Sequence, residues 1–111
     1  MNKSLLKIKN IKHEDIDRSN FENIKIYSED DHLTRRLMKY KPTGELYFYE
    51  FKEDIDYVNG NDSQYRTYIP VETEEKADEI NKLDIFGIHK ISPRLIDDWL
   101  ADGKRRTRWI K

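Results

Sequence analysis

The run ELYFYEF, residues 45–51, restricts the fold of this 111-residue chain more than any other stretch. Alternate residues of an extended strand face opposite sides, which puts Leu46 and Phe48 on one face and Tyr47, Tyr49 and Phe51 on the other. Aromatic side chains on both faces place this strand, read from Glu45 to about Val58, centrally in a sheet. Asn59-Gly60 and the polar residues to Gln64 make the next turn. Tyr65, Thr67 and Ile69 then alternate with Arg66 and Tyr68 until Pro70 ends a second strand. An antiparallel meander is the simplest result.

The flanking segments are less regular. Leu5 to Ile11 reads as a short lysine-rich strand suited to a sheet edge, and Asn23 to Tyr27 as another. Between Ser28 and Tyr40 two patterns compete. Ser28 with Asp31 resembles a capping box, acids Glu29, Asp30 and Asp31 precede Arg35, Arg36 and Lys39, and Leu33 stands four residues before Leu37, all helical signs. Lys41-Pro42-Thr43-Gly44, however, is a good type I turn leading into ELYFYEF, which favours a hairpin. A helical turn or two from Glu29, followed by extended chain before Pro42, reconciles them. Thr73 opens a charged helix with a stripe of Ala77, Ile80 and Leu83, and Asp84 to Ile91 reads as a last short strand. The fold class expected is α+β: an antiparallel sheet of about four strands with two to three helices, in a single compact domain over residues 1–111.

Composition narrows the function classes. Hydrophobic residues make up 36% and charged residues 39%, polar for a folded domain, but thirteen aromatics oppose disorder. The absence of cysteine excludes a disulfide framework, a thiolate nucleophile and a cysteine-bearing zinc site. MNKSLLKIKN lacks the apolar core of a signal peptide and no run approaches a membrane span, so a cytoplasmic protein with no membrane partner is expected.

The last twenty residues, SPRLIDDWLADGKRRTRWIK, carry the clearest helix signal. Ser92 suits an N-cap and Pro93 the first helical position. Leu95, Ile96, Trp99 and Leu100 form one apolar stripe, Asp97 and Asp98 fall opposite, and Gly103 supplies the stop. Residues 104–111 are a basic C-terminal segment: Lys104, Arg105, Arg106, Arg108 and Lys111 surround Trp109 with no acid among them. Residues 1–103 hold sixteen basic and twenty-two acidic residues, a net −6, so an acidic body bears a basic end. That asymmetry favours local contact with an anionic partner over wrapping.

SPRLIDDWLADGK resembles the recognition helix and following Gly-Lys of excisionase-type winged-helix DNA-binding proteins, with Ser92, Ile96, Trp99, Leu100, Gly103 and Lys104 at matching offsets and TRWI at the wing. The resemblance implies a DNA-reading helix, and it spans only the last twenty residues. Asp97 and Asp98 stand where that family presents DNA-friendly side chains, and Lys82 to Ile91 interrupts the turn between its helices. An acidic recognition helix repels phosphates, so membership does not follow.

Other chemistry is sparse. His13, Glu14, Asp15 and Asp17 match no zinc signature, and DIDYVNGND has Val58 and Asn59 where a calcium loop needs an oxygen ligand and a glycine. No glycine loop cradles phosphate. No metal or other cofactor is therefore expected. A small ribonuclease-like enzyme would draw on His32, His89, Glu50 and arginines, which the sequence does not bring together. The reading that results is a non-enzymatic macromolecule-binding protein whose C-terminal segment, Lys104, Arg105, Arg106, Arg108, Trp109 and Lys111, contacts nucleic acid or an acidic partner surface. The rival is a phage- or plasmid-type inhibitor or adaptor that binds protein through an acidic, tyrosine-rich surface of Glu29, Asp30, Asp31, Tyr47, Tyr49, Glu53, Asp54 and Asp56.

Overall fold

A computed structural model describes residues 4–30 and 32–111. Six strands, β1 (Phe21–Glu29), β2 (Leu33–Tyr40), β3 (Glu45–Asp54), β4 (Ser63–Val71), β5 (Arg94–Trp99) and β6 (Arg105–Ile110), form one antiparallel sheet in the order β1-β2-β3-β4-β5-β6. Helices α1 (Glu74–Asn81) and α2 (Ile85–Ile88) connect β4 to β5. The result is a compact single domain with a six-stranded sheet where about four strands were expected. Among the described residues, no helix is long and apolar enough to cross a membrane.

The two-faced aromatic pattern of β3 explains the layering. On one face Leu37, Phe48, Ile69 and Val71 pack with Ala77 and Ile80 of α1 and Ile88 of α2. On the other, Met38, Tyr40, Tyr47, Tyr49, Tyr68 and Leu95 pack with Leu5, Ile11 and Ile16 of the N-terminal segment. That segment plugs the second face rather than adding a strand. It contains three single 3-10 turns, Leu5–Lys7, His13–Asp15 and Arg18–Asn20; buried Leu5 lies in the first, and buried Ile11 and Ile16 lie between successive turns.

Three local expectations give way to tertiary context. Residues 33–40 are strand throughout, paired with both β1 and β3. The acids read as a helix start instead close the hairpin, for Asp30 Oδ1 accepts from the backbone N–H groups of His32 and Leu33 at 2.8 Å. Asp31, the other half of the expected capping box, lies outside the described residues. Asp84 to Ile91 holds the short helix α2 and no strand, because the Asp84 side chain caps it by accepting from Gly87 N–H at 2.8 Å. Thr73 does cap α1, accepting from Lys76 N–H.

The largest revision concerns Ser92 to Lys111, which is the β5–β6 hairpin and contains no helix. Leu95 and Ile96 are both buried, on opposite faces of the sheet, as in a strand covered on two sides. Gly103 does take a positive φ of 85°. It does so in the loop between β5 and β6, where Gly103 N–H donates to Leu100 O and Leu100 N–H to Lys104 O. With the helix gone, the winged-helix resemblance reduces to residue types at matching offsets.

One buried ion pair joins the layers. Arg35 Nε lies 2.9 Å from Glu50 Oε2 beneath α1, and Arg35 Nη1 also donates to the carbonyls of Asn81 and Leu83. The guanidinium thus links the sheet to the end of α1, where carbonyls lack helical partners.

Candidate nucleic-acid interface

The cations of the C-terminal segment fall into two groups. In the β5–β6 register Asp98 stands opposite Arg106 and Asp97 opposite Thr107. Arg106 Nη2 lies 3.2 Å from Asp98 Oδ2, and Arg105 Nη2 lies 3.3 Å from both oxygens of Asp97. Thr107 Oγ1 also donates to Asp97 at 2.8 Å. The consecutive aspartates that looked like a polar helix face are therefore the counter-charges of the consecutive arginines. Arg105 further lies 5.0 Å over the Trp99 ring. Lys104 is exposed and only 4.0 Å from Asp102. Arg108 and Lys111 form no ion pair among the described residues.

Burial pushes the Asp98 carboxyl above its ordinary value of 3.8, against the opposing pull of Arg106 and the Arg66 N–H, with nearby Asp97 adding to the rise. A carboxyl raised in the folded state favours folding when protonated. Its contribution is greatest below 3.8 and declines as pH rises through the folded-state value. Asp98→Asn removes this titration, so the wild type should lose stability relative to the variant as pH rises through that window. Urea unfolding of both proteins between about pH 3 and 6 checks this; a difference that stays flat or runs the other way refutes the assignment.

Trp109 is fixed in place. Its Nε1–H donates to Leu5 O at 3.0 Å, and the indole packs against the tyrosine-lined core. This bond draws the N-terminal segment alongside β6. A groove of about 500 Å³ lies there, lined by Lys9, Asn10, Ile11, Arg108, Trp109 and Lys111 among others. Lys9 thereby supplies a cation that no reading of residues 104–111 alone included. An indole tied by its N–H is a wall, and bases would stack only on its exposed part.

The acidic surface is distributed differently. Tyr47 is wholly buried and Tyr49 is 9% exposed, so both belong to the core. Glu29, Asp30, Glu53, Asp54 and Asp56 line one end of the sheet, where the antiparallel order brings together the β1–β2 and β3–β4 loops. Several have local tasks: Glu29 pairs with Arg36 at 2.6 Å, Asp54 with Lys52 at 3.4 Å, and Asp56 accepts from the Val58 and Asn59 N–H groups. Backbone hydrogen bonds hold Asp30 and Asp56 below the usual carboxylate range. Glu53 accepts from Gln64 at 3.3 Å.

Comparison with protein-family models, with curated proteins and with solved structures finds no match to this chain.

The residues considered for acid–base chemistry are dispersed over different elements. Glu50 is buried with Arg35 under α1, His32 lies in the β1–β2 turn 3.8 Å from Glu53, and His89 is exposed at the end of α2. Asp15 and Asp17, once weighed as metal ligands, cap their own turns by accepting from the N–H groups of Lys12 and Ser19. Sequence reasoning missed Lys9 at the groove. It also missed Arg18, Arg36 and Arg66, which meet around Tyr49. The arginines stand far apart in the chain, and only the strand register brings two of them to the same tyrosine-bearing face.

Proposed function

We propose that this protein is a non-enzymatic, cytoplasmic nucleic-acid-binding protein whose contact surface is the groove of Lys9, Arg108, Trp109 and Lys111. The observation that carries this reading is the pairing pattern. Arg105 and Arg106 are satisfied by Asp97 and Asp98, whereas Arg108 and Lys111 have no carboxylate partner among the described residues and stand beside Lys9 along an open groove. Cations left free along a groove with an aromatic wall suit the backbone of a single strand.

Electrostatic contact of this size predicts a modest salt dependence. Three phosphate contacts give a slope of log K on log salt of about −2 for a single strand. The test titrates fluorescent single-stranded DNA and RNA with the intact protein and with Lys9→Ala/Arg108→Ala/Lys111→Ala at two salt concentrations. The variant should lose most of the salt-sensitive binding while unfolding at the wild-type midpoint. Equal binding by both proteins, or none by the intact one, removes the proposal. Ending the chain at Gly103 is a poorer test, since it deletes β6 and uncovers β5.

A second reading rests on the gathering of Glu29, Asp30, Glu53, Asp54 and Asp56 at one end of the sheet. Such a surface fits a basic cleft on a partner protein, the mode of an inhibitor or adaptor. Loss of partner capture on neutralising Glu53, Asp54 and Asp56, with capture retained by the groove variant, would favour it.

A further inference from the structure

We propose that the basin formed by Arg18, Arg36, Arg66 and Tyr49, on the sheet face carrying the N-terminal segment, binds a phosphate monoester group. Two adjoining depressions of about 170 and 210 Å³ share Arg18, Arg36 and Tyr49 in their walls; Tyr68 completes the first and Arg66 and Phe51 the second.

Arg66 is the anchor of the argument. It is 8% exposed, its Nη2 donates to the neutral Gln64 Oε1 at 2.9 Å, and its Cζ lies 5.0 Å over the Phe51 ring. Its Nε is buried without a hydrogen-bond partner, and it forms no ion pair among the described residues. A buried guanidinium lacking a counter-charge is costly unless an anion reaches it. Arg36 lies across Tyr49 in the neighbouring strand, at the position that pairs with it. One of its nitrogens holds Glu29, yet its Nε is likewise buried and unpartnered. Arg18, on the last 3-10 turn, is exposed and forms no ion pair among the described residues. Three guanidinium groups thus line the basin, and Glu29 is the only carboxylate that forms an ion pair with any of them among the described residues.

The ligand class follows from charge and size. Guanidinium forks match phosphate oxygens, and three of them suit a dianion with three free oxygens better than a carboxylate with two. Each depression falls below the roughly 300 Å³ at which drug-sized ligands are taken up. A phosphate head group therefore enters while the nucleoside or chain bearing it remains outside.

None of these arginines lines the Lys9–Arg108–Lys111 groove, so the two sites fail or survive separately. The intact protein is titrated calorimetrically with inorganic phosphate, adenosine 5′-monophosphate and adenosine, and with an oligonucleotide bearing a 5′-phosphate or a 5′-hydroxyl. Phosphate and the monophosphate should bind saturably and adenosine should not. A preference for the 5′-phosphorylated strand over its 5′-hydroxyl form would identify a strand end as the source, and equal affinity of the monophosphate alone a free nucleotide. Arg66→Gln should weaken the monophosphate about tenfold, the equivalent of one charge-assisted hydrogen bond. Because Arg66 is buried, Arg18→Gln is the companion variant on an exposed side chain and should weaken it several-fold with an unchanged unfolding midpoint. The triple groove variant should keep wild-type affinity for the monophosphate. Absence of saturable binding up to ~10 mM, or unchanged affinity in both arginine variants, overturns the proposal.

Discussion

Arg35→Met is expected to destabilise the protein by about 3–5 kcal/mol, a large part of the 5–15 kcal/mol typical of a domain. The side chains of Arg35 and Glu50 are 9% and 3% exposed. Removing the guanidinium strands the Glu50 carboxylate beneath α1 and releases the two carbonyls at the helix end that Arg35 also holds. The loss of a buried partner costs more than the pair itself contributes, because the remaining charge is left desolvated. The double variant Arg35→Met/Glu50→Leu should therefore regain most of the loss. Urea denaturation of the three proteins decides the matter, and a single variant within about 1 kcal/mol of wild type would show that Glu50 finds water or another donor.

Tyr47→Ala should cost a similar amount, about 3–5 kcal/mol, the range for deleting a large buried aromatic. Tyr47 is 0% exposed and meets the Phe21 ring edge-on at 6.1 Å. Its hydroxyl reaches Glu45 only at 3.4 Å, so Tyr47→Phe is expected to stay within about 1 kcal/mol of wild type. These variants also separate a core residue from a contact residue. A Tyr47→Ala protein that unfolds at the wild-type midpoint but no longer captures a protein partner would return this tyrosine to an interface.

The parts of the fold legible in the sequence are those where side-chain pattern and tertiary role agree. ELYFYEF needed cover on both faces and received it, and Thr73 capped the helix it was expected to cap. Ser92 to Gly103 misled because Leu95, Ile96, Trp99 and Leu100 satisfy a helical stripe, while the strand reading depends on partners outside the segment, in β4 and in residues 105–110. Asp102-Gly103 is a strong hairpin signal that also passes for a helix end. The clue to the hairpin was chemical: Asp98 stands directly opposite Arg106, and Asp97 reaches Arg105 on a diagonal, two residues from its register partner Thr107. Residues 33–40 were obscured similarly, since Glu29 and Asp30 serve a hairpin with the same residue types that begin a helix. At the candidate sites, the free cations of the C-terminal segment could be named from sequence, but their division into paired and unpaired could not. The arginine basin was invisible because residues 18, 36 and 66 share no local pattern.

The Trp109–Leu5 bond spans 104 positions, in a sheet whose neighbouring strands are all consecutive in the chain. A ribosome delivers Leu5 long before Trp109, so the early apolar segment must wait against an unfinished sheet until the last strand emerges. Hairpins assemble as they are made, but the clasp between early and late chain closes only after synthesis has passed residue 109, with the entropic cost of closing a long loop.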